Sequence, residues 1–511
     1  MNWSYVLERN ADRFPDKECL IGLGKRITWR ELQERVNSLA RGFLELGLGR
    51  GDIIAILFNN CLEYMEITFA ANMIGAVWLP LNFRLAGDEL QYILNNAEAK
   101  VLITEPEYVP IISSIQAQLP SCKHYLLNAV EMQLNGWLSY EFLIEQHRGE
   151  KASHVDVDKD DLQRLMYTSG TTARPKGVML TYDNLYWKNI AHIIALGITD
   201  KERSLVVGPL YHVGGMDLPG TTTLYCGGTL IVLRRYDTIP LLETVDKEKV
   251  TSMWLSPSML TTLFDEPTFD RYDLSSIRVI IDGGEKMPEG LVSEFKKKFP
   301  KAWFADAYGS TETLPGDTFL AKDKMFNKIG SVGKPVHHVH VRIVDDEDRE
   351  VGPNTLGEVC VKGRKVFKGY WKDPKATIES IKNGWFHTGD IGKLDEDGYL
   401  YIIDRKKDMI RSGGENIASS EVERVIYEIA EVLEVAVIGI PHPKWLEVPK
   451  AYVVFKPGKS LDPEKILEYC RKKLAKYKVP KEIEIIDNLP RNPSGKVLKG
   501  ELHEMHMKLK Q

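Results

Sequence analysis

Through its first half the chain alternates short apolar runs with amphipathic helical patterns, and no other feature restricts its fold as strongly. Thr28 to Leu46 (TWRELQERVNSLARGFLEL) reads as a helix: Thr28 and Glu31 are spaced as a capping box, Leu32, Val36, Leu39, Ala40, Phe43 and Leu44 form one stripe, and Gly47 closes it. Ile53 to Leu57 follows as a strand, then a helical pattern over Leu62 to Ile74, a strand over Ala76 to Leu79, a helix near Glu89 to Asn95 and a strand over Lys100 to Thr104. Strands that are apolar on both faces, separated by helices, predict a mostly parallel sheet covered on both sides. The alternation resumes with Asn184 to Leu196 as a helix and Ser204 to Val207, Thr229 to Leu233 and Val279 to Ile281 as strands.

From about Ile329 the texture changes. IGSVGKPV, VRIVDDEDREVG and GEVCVKG read as short strands with turns, a β-rich subdomain rather than a further strand–helix unit. A charged run, DRKKD, and a glycine turn, SGGEN, then precede a compact segment with its own pattern: helices at Glu421–Ile429 and Asp462–Leu474, strands at Val435–Ile440, Ala451–Phe455 and Glu482–Ile486. A chain of 511 residues exceeds one core. The expected architecture is α/β: a large N-terminal domain of α/β layers with the β-rich subdomain (1–404), a hinge at 405–407, and a small mobile α+β C-terminal domain (408–511).

The totals exclude several classes. With 67 basic and 72 acidic residues and a net charge of −5, the chain has no cationic excess for a nucleic-acid backbone. Its six cysteines are scattered without a CxxC pair, as suits reduced thiols. The N-terminus carries charges throughout and lacks an apolar signal core, and no apolar run is long enough to cross a bilayer. A cytoplasmic monomer or homodimer without a transmembrane segment is the expectation.

Between Tyr167 and Val178 the sequence reads YTSGTTARPKGV. Glycine allows backbone N–H groups close to an anion, the hydroxyls of Thr168, Ser169, Thr171 and Thr172 add donors, and Lys176 supplies a point charge, a composition suited to holding phosphate. It is not a Walker A loop, because Lys176 is followed by Gly177 rather than Ser or Thr. Other polar or glycine-rich stretches follow predicted strands: PLYHVGGM at 209–216, DGGEKMP at 282–288 and DAYGSTE at 306–312. In open α/β sheets ligands sit beyond the carboxyl ends of strands, so these stretches are candidates for chemistry.

Taken in order, YTSGTTARPKG, YGSTE, TGD, DRKKDMIRSGGEN and LPRNPSGK resemble the motifs of the acyl-adenylate-forming superfamily, over nearly the whole chain from about Tyr5 to Lys499. The resemblance implies an ATP-dependent carboxylic acid:CoA ligase that forms acyl-CoA, AMP and pyrophosphate through an acyl-adenylate, with Mg2+ as cofactor and coenzyme A as co-substrate. It implies that Thr168, Ser169, Gly170, Thr171, Thr172 and Lys176 hold the β- and γ-phosphates. Gly283, Gly284 and Glu285 would wall the adenine, Asp306, Ala307, Tyr308 and Gly309 would line and stack on it, Thr311 would touch phosphate, and Glu312 would ligate Mg2+. Asp390 would accept the ribose hydroxyls and Arg405 would hold the ribose. Lys496 would be the catalytic lysine bridging carboxylate and α-phosphate, Lys407 the hinge, and Arg411, Ser412, Gly413 and Gly414 the wall of the CoA thiol tunnel. Ala173 and Leu446 stand where relatives commonly carry glycine, and Ser420 where they commonly carry proline.

For the acid, the resemblance points to His212, Gly214, Gly215 and Trp254. PLYHVGGM has no Lys or Arg to meet a second substrate charge, and Asp217 is expected to turn away, so an apolar acid is favoured. A medium- or long-chain fatty acid comes first, an aryl or alicyclic acid second. The rival readings are adenylation with transfer to a carrier-protein thiol and a nucleotide-binding protein without catalysis. His337, His338 and His340 are not expected to bind metal: His338 and His340 would share a strand face, but no cysteine or carboxylate has matching spacing.

Overall fold

The computed structural model describes residues 2–129, 134–168, 174–283, 287, 289–412, 415–491 and 497–509. Two compact units are present, one comprising Met1–Val341 and Val361–Phe386, the other Arg342–Cys360 and His387–Gln511.

The first unit holds two large sheets. One runs, in spatial order, Lys334–Pro335, Thr318–Phe319, Trp303–Tyr308, Val279–Gly283, Ser252–Trp254, Arg203–Val206, Thr229–Val232, Glu18–Gly22 and Lys25–Thr28. From Trp303–Tyr308 to Glu18–Gly22 every neighbouring pair is parallel. The other sheet runs Gly369–Tyr370, Lys176–Thr181, Leu162–Thr168, Val77–Pro80, Ile53–Leu57, Val101–Thr104, His124–Leu127 and Leu138–Ser139. Both were foreshadowed by fully apolar strands, and Ile53–Leu57 and Val101–Thr104 are buried at every position.

The helix predicted from Thr28 spans Trp29–Glu45, and its capping box forms as the sequence reads, with Thr28 accepting from the Glu31 amide and Glu31 accepting from the Thr28 amide. Such a cap stabilises a helix by about 1 kcal/mol. The helix Glu63–Met73 has no polar face: all of its residues are buried, and it lies in a core that also holds Trp29, Phe43 and Trp78. A helix buried all round must be enclosed by other elements.

In the second unit, Trp385–Leu394 pairs antiparallel with Leu400–Arg405 in a register running from Asp390↔Arg405 to Leu394↔Leu400. Beyond them the hairpin Val432–His442 and Leu446–Phe455 forms the centre of a sheet whose two faces are separately covered. Val435, Val437 and Val453 pack with Val422 and Ile426 of the Ser419–Tyr427 helix, whereas Ala436, Ile438 and Tyr452 pack with Leu502 of the Lys499–Leu509 helix. That alternation is the two-residue period of a strand buried on both sides. The terminal helix was missing from the sequence reading, and it covers the second face together with Leu489.

One expectation fails locally. His338 and His340 do not share a strand face, because the strand is Val339–Val344 and His338 precedes it with φ +66°. Its ring instead meets Trp187 edge-on at 4.6 Å.

Candidate active site

The expected phosphate loop leaves one strand and returns on its antiparallel neighbour, with Thr168 paired to Lys176 and Tyr167 to Gly177. Ser169, Gly170, Thr171, Thr172 and Ala173 lie outside the described residues. At the base of the loop Gly177 is tightly packed, since a Cβ there would stand 3.1 Å from both Trp371 and the Tyr167 ring. The Lys176 ammonium lies 5.2 Å from the centroid of the Tyr370 ring, a cation–π distance. Tyr370 in turn donates its hydroxyl to Glu312 Oε1 at 3.0 Å. Tyr370 is placed by the strand Gly369–Tyr370 pairing with Val178 and Met179, and Glu312 by the amide of Phe367, which donates to its carbonyl at 2.7 Å. The loop's lysine and the carboxylate expected to hold Mg2+ are therefore joined through one phenol. Glu312 is half-buried and spends one oxygen on Tyr370. A hard carboxylate oxygen of this kind fits Mg2+, which keeps most of its shell as water and phosphate oxygen.

The adenine-side candidates fall at the carboxyl ends of two parallel strands. Asp282 stands in register with Asp306 and Gly283 with Ala307. A Cβ on Gly283 would be 2.7 Å from the Ala307 carbonyl oxygen, so the close approach of the two strand ends requires glycine. Burial pushes the Asp306 carboxyl up to about 8, opposed by the Ala307 amide. Asp282 is also buried. Tyr308, two residues on, shares the face of Asp306 by strand alternation. Thr311 and Glu312 begin the short turn Thr311–Thr313 that follows Gly309. Gly284 and Glu285 lie outside the described residues.

His212, Gly214, Gly215 and Trp254 come together. The short helix Val213–Asp217 is capped by His212, whose Nδ1 accepts the Gly214 N–H at 3.1 Å. His212 has open surface, yet the protein packed around the rest of the ring lowers its pKa, so the ring is neutral at pH 7 and, with Nδ1 accepting, carries its proton on Nε2. The Trp254 indole lies across two glycines: a Cβ on Gly208 would be 2.8 Å from it and one on Gly214 3.2 Å. On Gly215 a Cβ would be 2.4 Å from the Pro209 carbonyl oxygen. The glycines of this stretch thus admit a flat ring and close backbone packing, and leave no side chain between them.

Asp217 turns away, as expected, and does so into a fully buried ion network. Its Oδ2 accepts from Arg164 Nη2 at 2.7 Å, both side chains being 0% exposed. Lys188, also 0% exposed, lies 3.8 Å from the other oxygen and donates to the Asp217 carbonyl (2.7 Å), Thr221 (2.7 Å) and Thr222 (2.9 Å). Burial brings Lys188 down to about 7, with Asp217 opposing. Arg164 belongs to the strand that leads into the phosphate loop, so the network fastens the His212 helix to that strand. A second buried pair, Lys365–Asp317 at 2.9 Å, ties the segment before Tyr370 to the segment after Glu312.

In the C-terminal unit, Asp390 and Arg405 face each other across paired strands, with Arg405 Nε 2.7 Å from Asp390 Oδ1. The turn that presents Asp390 contains Gly389 at φ +71°, a left-handed conformation that favours glycine. Arg411 is exposed and Ser412 buried, the Arg411 amide donates to Glu447 at 2.8 Å, and Ser412 pairs with Leu446. Gly413, Gly414 and Lys496 lie outside the described residues.

The family model of the AMP-binding enzyme matches residues 7–371, and that of the AMP-binding enzyme C-terminal domain matches 421–496. The chain belongs to the AMP-binding enzyme family. It is 39% identical over 494 residues to a feruloyl-CoA synthase of Amycolatopsis sp., covering 97% of each chain, and 35% identical over 512 residues to the long-chain-fatty-acid–CoA ligase FadD13 of Mycobacterium tuberculosis, covering 99% of this chain and 98% of the relative. Among solved structures it superposes with TM-score 0.92 and 27% identity on the anthranilate CoA ligase AuaEII in complex with anthranoyl-AMP, covering 100% of this chain and 98% of that one. The expectation of an AMP-forming acid–thiol ligase using ATP, Mg2+ and CoA holds. A nucleotide-binding protein without catalysis does not. Among the described residues no helix is long and apolar enough to cross a membrane.

Sequence reasoning about this AMP-binding enzyme missed Tyr370, Glu358 and the Arg164–Lys188 partners of Asp217. For Arg164 a signal existed: a cation inside the apolar run Leu162 to Met166. Tyr370 sits on a two-residue strand, too short to carry a period.

Proposed function

We propose that this enzyme joins an aryl or arylalkyl carboxylic acid to CoA. The observation that carries the reading is the Trp254 indole packed against Gly208 and Gly214 beside a neutral His212, an uncharged aromatic surface suited to a ring. The feruloyl and anthranilate relatives support it, and they outweigh the preference for a fatty acid that the bare absence of charge in PLYHVGGM suggested.

In the first half-reaction a carboxylate oxygen attacks the α-phosphorus of ATP and the electron pair of the broken bond leaves with pyrophosphate. Thr168, Ser169, Gly170, Thr171, Thr172 and Lys176 hold the β- and γ-phosphates, and Tyr370 fixes both Lys176 and Glu312. Mg2+ held by Glu312 neutralises phosphate charge when bound. Gly283, Gly284, Glu285, Asp306, Ala307, Tyr308 and Gly309 seat the adenine, Asp390 and Arg405 the ribose, and Thr311 a phosphate oxygen. Lys496 offsets the repulsion between carboxylate and α-phosphate, and no base is needed because the acid is already ionised. In the second half-reaction the CoA sulfur, guided by Arg411, Ser412, Gly413 and Gly414, attacks the acyl carbon. AMP leaves with the electron pair and the thiol proton passes to solvent. Rotation at Lys407, between the domains 1–404 and 408–511, withdraws Lys496 before that step.

A panel of acids tests this, with AMP and thioester measured separately. Cinnamic, benzoic and indolic acids are expected to exceed C8 to C16 fatty acids in kcat/KM by at least about tenfold, the scale of discrimination available to a shaped apolar pocket. A fatty acid leading the panel would overturn the reading, and AMP formed without thioester would point to a carrier-protein acceptor.

A further inference from the structure

Glu358, on the strand Gly357–Gly363, has no part in the reaction as set out above, yet its two oxygens meet the segments on both sides of the ribose site. Oε1 accepts the Gly389 N–H at 3.2 Å. Oε2 lies 3.2 Å from the Lys406 ammonium and 3.4 Å from His387 Nδ1. The two segments are also bolted directly, since the Lys406 amide donates to the Gly389 carbonyl at 2.8 Å and Arg405 Nη1 reaches the Thr388 carbonyl at 3.4 Å. Glu358 is itself largely buried, with 13% of its side chain exposed, so it is held in place rather than waving in solvent.

We propose that Glu358 is a positioning residue for ribose recognition: by accepting from Gly389 and Lys406 it fixes the 388–390 turn against the 405–406 segment, and so sets the place from which Asp390 meets the ribose diol. Gly389 is left-handed and has no side chain to anchor it, so the turn depends on its backbone partners, and the Glu358 oxygen is the side-chain acceptor at its N–H. A carboxylate placed by that turn offers its two oxygens to two vicinal hydroxyls only if the turn does not rock, and displacement of a positioned group by about 1 Å suffices to lose about a hundredfold in rate. The inference rests on the proposed adenylation reaction, in which Asp390 accepts the ribose hydroxyls.

The test compares ATP with 2′,3′-dideoxy-ATP in acid-dependent pyrophosphate exchange. Wild type is expected to prefer ATP by about a hundredfold or more in kcat/KM, the worth of two hydrogen bonds to a charged group. Glu358→Ala is expected to bring the two nucleotides within about tenfold by lowering ATP while scarcely changing 2′,3′-dideoxy-ATP, with KM for the acid unchanged, because only the hydroxyl contacts are lost. Glu358→Asp, which keeps the charge and withdraws the oxygens by one methylene, is expected to do the same and serves if the alanine variant fails to fold. Equal losses with both nucleotides would assign Glu358 to general scaffolding and overturn the proposal, as would a wild type indifferent to the ribose hydroxyls. A wild type with no acid-dependent exchange at all would instead sink the adenylation reading itself.

Discussion

Asp217 and Asp390 are both aspartates paired with an arginine at 2.7 Å, and they sit in opposite settings. The Asp217–Arg164 pair has no exposure on either side and is surrounded by Lys188, Thr221 and Thr222. The Asp390–Arg405 pair has its arginine 40% exposed, and the neighbouring Lys406 (41% exposed) reaches both Glu358 and the surface carboxylate of Asp346. The first arrangement cannot come apart without stranding a charge in the core; in the second the Arg405 and Lys406 cations keep access to water.

The largest expected effect breaks the buried side of that contrast. Asp217→Ala leaves the Arg164 guanidinium and Lys188 ammonium uncompensated and should destabilise the protein by about 3–5 kcal/mol, whereas Asp346→Asn, which removes a partner 3.1 Å from the Lys406 ammonium, should change stability by under about 1 kcal/mol. Denaturant midpoints of the two variants check this, and comparable losses would erase the distinction.

A smaller effect is a slope with pH. Lys188 is lowered from 10.5 to about 7 in the fold, so between those values the unfolded chain binds more protons than the native one. Stability should then rise with pH across that window as the penalty of the buried charge is relieved, and Lys188→Met should flatten the rise. Midpoints measured from pH 7 to 10 decide it; an unchanged slope in the variant would remove Lys188 as its source.

The smallest concerns the hairpin of the C-terminal unit. Leu446 adopts φ +70° with 68% exposure, at the position where the resemblance implies glycine. A left-handed non-glycine residue costs about 1–2 kcal/mol, of which added chain entropy offsets part, so Leu446→Gly should stabilise the protein by about 0.5–1 kcal/mol. A fall in the thermal midpoint would contradict that assignment of strain.

Much of this was readable before any coordinates. The Thr28 capping box and the apolar strands appear as read, because capping and alternation are local properties of a few neighbouring residues. His212, Gly214, Gly215 and Trp254 converge as the resemblance implied. The rest depended on meetings between distant segments. Tyr370 reaches Lys176 and Glu312 from a two-residue strand, and Glu358 reads in sequence only as part of GEVCVKG. The packing of the Trp254 indole against Gly208 and Gly214 is likewise a meeting of residues far apart in sequence, which no local pattern announces.

The chain passes from one compact unit to the other three times, after Val341, Cys360 and Phe386. Tyr370, the aromatic partner of Lys176, lies on the returning segment Val361–Phe386. No single backbone cut therefore divides this enzyme into its two bodies. A fragment ended at Val341 would carry the phosphate loop without the ring beneath its lysine, while one ended at Phe386 would drag along residues 342–360 severed from their own core. Any study of the nucleotide half in isolation needs an excision and a splice.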